Sequence, residues 1–274
     1  MLVFGESEYA LSSYENVKAQ HPNDVKLIKT EEELKSVLPS NIPVNYDEKR
    51  TAYFNGVAGW IESGKATRAL YEECTKLGLK SINGFEVKNI IWENDKVVGV
   101  ESSEDMKLTG FDKVIIAAGA WAPSLDKKLD KLLVSSAQSV TMIKLKDEQY
   151  NRYKDNSPVV INLNTGHYLF PPTESKYLKV SRHHAGYLTK TNTPVKLDVK
   201  YENLDSGPLL STSKIPIDMY EDLREGLRGV YPEIADDEKL ESVYRLCWYS
   251  DADLGDFVID YHPDSNGTLL YATG

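Results

Sequence analysis

A mixed α/β fold in two domains is predicted by three observations. Stretches with helical apolar spacing alternate with short β-branched runs, no repeat or low-complexity tract interrupts them, and 274 residues with 41% hydrophobic content can bury more than one core. The chain opens with polar helical stretches. Thr30-Glu31-Glu32-Glu33 has the form of a capping box ahead of Leu34, Val37 and Leu38, with Pro39 as the stop. Pro43-Val44-Asn45-Tyr46 reads as a connecting turn. Beyond Gly64, the residues Ala66, Ala69, Leu70, Cys74 and Leu77 recur at helical spacing, and Gly78 is placed to cap that helix. Strands are expected at 96–100 and 113–118, the second entering Ala118-Gly119-Ala120-Trp121, and its unbroken apolar run suits a buried strand. Further strands are expected at 140–145, 158–163, 177–181 and 268–272. Met219, Leu223 and Leu227 mark one more helix, ending near Pro232.

Charge and composition then exclude several classes. With 42 acidic against 32 basic side chains the net charge is −10, which repels nucleic acid and anionic membrane alike, and no basic patch offsets it. No run reaches the ~18 apolar residues of a membrane span. The first eight residues turn acidic too early for a signal peptide, so an intracellular protein is expected. The two cysteines form neither a disulfide scaffold nor a zinc ribbon. Cys74 sits on the apolar stripe of its helix and reads as a small buried hydrophobe. Cys247 lies in Tyr244-Arg245-Leu246-Cys247-Trp248-Tyr249, where the neighbouring cation favours a thiolate, although a structural cysteine on a strand fits as well. His183 and His184 are adjacent, which on a strand sends them to opposite faces, and no metal-ligand spacing is present. Neither a Gly-Xaa-Ser-Xaa-Gly elbow nor a phosphate-binding loop occurs. The 17 tyrosines suit a polar pocket wall or half-buried surface.

Three ordered blocks are more specific. Arg245 to Tyr249, followed by Phe257-Val258-Ile259-Asp260-Tyr261-His262-Pro263, resembles the C-terminal motif of the FAD-dependent amine oxidases that include monomeric sarcosine oxidase, fructosyl amino acid oxidase and saccharopine and pipecolate oxidases. Tyr168-Leu169-Phe170-Pro171 and then Lys179-Val180-Ser181-Arg182-His183 is similar to the family's Tyr-Xaa-Phe-Pro and Lys-(Xaa)3-His. Gly59-Trp60-Ile61 and Ala118-Gly119-Ala120-Trp121 resemble its flavin-domain segment.

The resemblance implies a partial glutathione-reductase-like FAD domain over residues 56–125 and 246–274. It implies a substrate domain with a helical part at 1–55 and a mixed sheet at 126–245. FAD would be bound through Cys247, covalently at the flavin 8α carbon, and through Val87, Gly119 and Trp121. Tyr168 and Tyr249 would line the substrate pocket, His183 would stand by the reacting amine, and Lys179 would lie where oxygen is reduced. The implied reaction takes a hydride from carbon next to the amine of an N-substituted amino acid, with oxygen as acceptor and peroxide as product. A dehydrogenase with another acceptor and a non-catalytic remnant are the alternatives. Arg182 stands where fructosyl-specific members carry an acid. If it faces the pocket, it would grip a second carboxylate, as in saccharopine; if strand alternation turns it away, it would not. The family's Gly-rich dinucleotide loop and its distal carboxylate anchors have no counterpart here, so the chain is expected to be a truncated middle that holds FAD weakly by itself. The implied address is cytoplasmic or peroxisomal.

Overall fold

The structure is a computed structural model that describes residues 1–274 except Tyr46, Glu48, Arg50, 195–216, Leu254 and the side chain of Ile217. The chain divides into two compact units. Unit 1 is Met1–Ile61, Gln138–Ala185 and Ser206–Cys247; unit 2 is Glu62–Ala137, Gly186–Asp205 and Trp248–Gly274. This is the mixed α/β architecture expected, although two boundaries fall inside strands rather than in linkers.

In chain order the elements of the first segment are β1 (Leu2–Phe4), α1 (Glu8–Gln20), β2 (Val25–Ile28), α2 (Glu31–Lys35) and β3 (Ala52–Asn55). Residues 1–55, expected to be helical, thus also supply three strands. Those strands are three or four residues long and their apolar positions pack inward, so they carry little periodic signal. Thr30 caps α2 by accepting from the Glu33 amide at 3.2 Å. Glu33 reaches back to the Lys29 amide at 2.6 Å, one residue earlier than a standard capping box requires.

Unit 2 begins with α3 (Ser63–Lys76) and continues through β4 (Val87–Glu93), β5 (Lys96–Ser102), β6 (Lys107–Thr109), β7 (Val114–Ile116) and α4 (Ala122–Leu125). Helix α3 ends as its sequence dictates. Gly78 takes φ +97°, its amide bonds to the Thr75 carbonyl and the Leu79 amide to that of Cys74, closing a Schellman motif. Its apolar stripe, however, is not buried: Leu70 is 66% exposed, Leu77 is 89% exposed and Cys74 only half-buried, which corrects the buried reading of Cys74. Helix-forming periodicity and burial are separate properties, and here only the first is realised.

β8 (Leu133–Lys144) crosses into unit 1, where α5 (Asp147–Tyr153), β9 (Val160–Asn162), β10 (His167–Phe170) and β11 (Tyr177–Arg182) follow. After β12 (Tyr187–Leu188) in unit 2 come α6 (Ile217–Arg228) and α7 (Pro232–Asp236), then β13 (Ser242–Ala252), β14 (Val258–Tyr261) and β15 (Leu269–Thr273). The unit 1 sheet runs β8-β11-β10-β9-β1-β3-β2, antiparallel except at β1–β9. On it lies α6, whose Met219, Leu223 and Leu227 are all buried, as their spacing predicts. In unit 2, β15 pairs with β7 in parallel and with β14 in antiparallel, and β4-β5-β6 form a second small sheet. Val97, Ile116, Ala122, Leu129, Leu133, Leu269 and Tyr271 make up its core.

The contrast between the two apolar stripes is measurable. Leu227→Ala empties a fully buried site and should cost about 2–5 kcal/mol in urea unfolding, whereas Leu77→Ala should stay within about 0.5 kcal/mol. Burial also pushes the Tyr231 phenol up to about 12. The unfolded tyrosine titrates near 10, so this stabilisation is complete below about pH 10 and is lost as pH rises toward the folded value, by about 1.4 kcal/mol per pH unit. Between about pH 9 and 11 the urea midpoint of Tyr231→Phe should therefore fall less steeply than that of the wild type.

Candidate functional site

The hairpin of β10 and β11 organises the candidate residues of unit 1. Its register opposes His167 to Arg182, Tyr168 to Ser181, Leu169 to Val180 and Phe170 to Lys179. Because side chains alternate along a strand, this register yields two faces. His167, Leu169, Val180 and Arg182 share one of them, turned toward α6. There Val180 and Thr141 of the sheet meet Leu223 and Leu227 around a cavity of only about 50 Å³. Tyr168, Phe170 and Lys179 share the opposite face.

On that second face a cation lies over two aromatic rings, one of which packs against a third. Phe170 stands perpendicular to Tyr168 with ring centroids 5.9 Å apart, and Trp60 lies 6.0 Å from Phe170. The Lys179 ammonium is 5.0 Å from the Phe170 centroid and 5.8 Å from that of Tyr168, within cation–π range. Tyr168, Phe170 and Lys179 are all half-buried, so the charge is held against low-dielectric surface without being sealed in.

Arg182 is turned away from this group. Its Nε donates to the Thr165 carbonyl at 2.7 Å and a terminal nitrogen donates to Asp222 on α6 at 2.7 Å. The same carboxylate lies 3.0 Å from Nε2 of His167, whose Nδ1 is 2.9 Å from the Thr165 hydroxyl. Of the two directions that strand alternation left open, Arg182 takes the one away from the Tyr168–Lys179 face, and two of its donors serve an internal network on the α6 face. Close approach of α6 is built into the sequence, since a Cβ on Gly226 would come within 2.2 Å of the His167 ring. The reading of the histidine pair is corrected. β11 ends at Arg182, so His183 and His184 lie beyond it; His183 is exposed, and its amide bonds to the Gly166 carbonyl at 2.9 Å. Burial, followed by the nearby Arg182 charge, pushes the His184 imidazole below its ordinary range.

In unit 2 the candidate cofactor residues line two clefts. One, of about 550 Å³, is walled by Val87, Ile90, Val100, Ile116, Ala118 and Trp121. The other, of about 470 Å³, is bordered by Gly119, Ala120, Trp248, Tyr249, Phe257 and Gly274. Val87 and Trp121 thus come together, as do Gly119 and Tyr249, and the 3₁₀ turn Gly119–Trp121 contributes to both clefts. A Cβ at Gly119 would project into open space, so its backbone is bare toward the cleft. Aliphatic walls, two indoles and an uncovered glycine backbone fit a large planar aromatic cofactor such as a flavin. Cys247 directly precedes Trp248 on β13, half-buried and outside any disulfide.

Sequence reasoning missed Asp222 and His167. Alternation from Leu169 would have placed His167 on the inner face, but nothing in a polar helix surface marks Asp222 as its partner. Among the described residues no group of three or more His, Cys, Asp or Glu side chains is placed to hold a metal ion. No described helix is long and apolar enough to cross a membrane.

A model of the FAD-dependent oxidoreductase family, DAO, matches residues 1–274. The chain belongs to this family. It is 25% identical to the amino acid oxidase fsqB of Aspergillus fumigatus over 86% of the chain and 57% of that protein, and 26% identical to the amino acid oxidase imqH of Aspergillus flavus over 81% and 53%. Among solved structures it is similar to the fructosyl amine:oxygen oxidoreductase amadoriase I of Aspergillus fumigatus, with TM-score 0.77 and 24% identity, over all of this chain and 61% of that one. A modified fructosyl peptide oxidase from Aspergillus nidulans gives 0.75 and 22%, covering 65% of its length. The fold is shared with these oxidases, and the chain spans a little over half of the curated relatives it matches. The family resemblance carried by the three sequence blocks accordingly stands.

The Arg182 network has a direct consequence. Arg182→Ala leaves Asp222 with His167 alone and removes the donor to the Thr165 carbonyl, so it should lower the unfolding free energy by about 0.5–1.5 kcal/mol in urea titration. Arg182→Lys should recover only part of it, because an ammonium cannot serve both acceptors with a fixed fork.

Proposed function

We propose that the chain forms the flavin-holding and substrate-handling body of an amine oxidase, which oxidises the carbon–nitrogen bond of an N-substituted amino acid to an imine and reduces oxygen to hydrogen peroxide. The observation that carries this reading is the Lys179 ammonium held over Tyr168 and Phe170 in a chain matched throughout by an FAD-dependent oxidoreductase family. Bound FAD would supply the hydride acceptor and, once reduced, the electrons for oxygen.

The protein's part is placement and electrostatics. Val87, Gly119 and Trp121 would hold the cofactor through apolar contact and bare backbone, and Cys247 would fix it through a thioether to the flavin 8α carbon. Tyr168 offers an aromatic wall with a phenol, suited to orienting an amine. His183, exposed beyond the end of β11, is able to exchange the amine's proton with solvent. Lys179 would present a positive charge where negative charge develops on dioxygen, and its half-buried aromatic surroundings would reduce the screening of that charge by water.

The relatives' names point to amino acid and fructosyl amine substrates. Since Arg182 is committed to Asp222, the structure lends no support to a demand for a second carboxylate. Sarcosine, pipecolate, saccharopine and a fructosyl amino acid form a discriminating panel, and peroxide released under air is the readout. Flavin reduction without peroxide would indicate a dehydrogenase; no reduction by any member would defeat the proposal.

Two further outcomes are expected of the FAD-loaded enzyme. Lys179→Met should slow the oxygen half-reaction about 100-fold while leaving the amine half-reaction nearly unchanged in stopped-flow traces. On acid precipitation the flavin should stay with the protein pellet, and Cys247→Ala should release it to the supernatant.

A further inference from the structure

Outside the residues already assigned, the most complete buried polar cluster lies in unit 2 around Asp126. This residue ends α4 and begins the 3₁₀ turn Lys127–Lys131, so it closes the segment that starts at Gly119. Its side chain is 13% exposed and both of its oxygens have partners. Oδ1 accepts from the Lys128 amide at 3.0 Å. Oδ2 accepts the Tyr271 hydroxyl of β15 at 2.5 Å and faces Nε2 of His262 at 3.4 Å, the histidine side chain being 6% exposed.

The histidine is oriented for this contact. Its Nδ1 accepts the Asp264 amide at 3.0 Å, which assigns the proton of the neutral ring to Nε2, the nitrogen facing Asp126. Trp92 and Tyr271 hold the ring edge-on, with centroids at 5.1 and 5.9 Å. A second pin acts at the other end of the segment, where the Ser135 hydroxyl donates to the Ala120 carbonyl at 2.6 Å. The stretch from Gly119 to Asp126 is thus tied down at both ends, and between the ties it offers Gly119 and Ala120 to one cleft and Trp121 to the other.

We propose that Asp126 is a positioning residue that holds the Gly119–Leu125 segment in register with β15 and the His262 turn, and so sets the cleft walls against which the cofactor lies. The assignment of those walls to FAD rests on the proposed function; the tie itself does not. A buried carboxylate shared by a phenol and an imidazole is directional, so losing it should free this segment in particular rather than loosen the whole unit.

Hydrogen exchange on the purified 274-residue chain tests the tie. In Asp126→Ala the amides of residues 119–125 should exchange about tenfold faster or more, while those of β4 and β5 change less than about twofold. Asp126→Asn should lie closer to the wild type than Asp126→Ala, because its one oxygen still accepts from Tyr271 although its NH2 then faces the Lys128 amide, and Tyr271→Phe should likewise fall between the alanine variant and the wild type. Unchanged exchange at 119–125, or equal acceleration across unit 2, would overturn the proposal, and the asparagine and phenylalanine variants carry the test should the alanine variant not fold. Titration with FAD, read by flavin fluorescence, separates the two readings. Affinity about tenfold weaker in Asp126→Ala, with Asp126→Asn retained, supports both. Localised exchange with unchanged affinity overturns the positioning role, and localised exchange with no FAD bound even by the wild type supports the tie alone, as a chain without the dinucleotide loop would give.

Discussion

Asp222 accepts from both Arg182 and His167, and because these two residues oppose each other across β10 and β11, one carboxylate holds both strands of the hairpin to α6. The two-residue period of a strand then does the rest. If His167 and Arg182 face the helix, Tyr168 and Lys179 must face away from it. A shift of one residue in either strand would bury the lysine under α6 and expose the leucine and valine that now pack there, so the apolar cost of misregister protects the position of the cation. The catalytic proposal for unit 1 depends on this inner face being polar at its end and apolar at its centre.

Unit 2 uses its residues differently. Its core is a compact group around Ile116, Leu129, Leu269 and Tyr271, yet much apolar surface lies outside it: Leu70 and Leu77 on α3, Ile115 on β7, Phe257 and Ile259 near β14 are all well exposed. Single exposed apolar side chains need no explanation, but cleft walls made of aliphatic residues, indoles and bare glycine backbone have a preferred kind of occupant. A large planar ring system matches that chemistry better than a sugar or a peptide would. Walls fixed before binding lower the ordering cost of holding any ligand, and the hydrogen bonds of Ser135 and Asp126 to either end of the Gly119–Leu125 segment act in that direction.

What the sequence by itself determined were the elements whose forces are local or periodic. The cap at Thr30, the helix end at Gly78, the stripe of α6 and the strands expected at 96–100, 177–181 and 268–272, which the structure places within a residue or two, all follow from spacing and backbone preference. The three ordered motifs likewise carried the family, because they preserve residue types at fixed intervals along single strands and turns. Tertiary structure decided what depends on partners distant in the chain. It showed that the α3 stripe is helical without being buried, that 1–55 contributes strands to a sheet, and that Arg182 answers to Asp222 forty positions away rather than to a ligand. Strand alternation had left two directions open for that guanidinium, and only the placement of α6 could choose between them, because the energy that decides where a partly buried charge points lies in its partner and not in its own sequence neighbourhood.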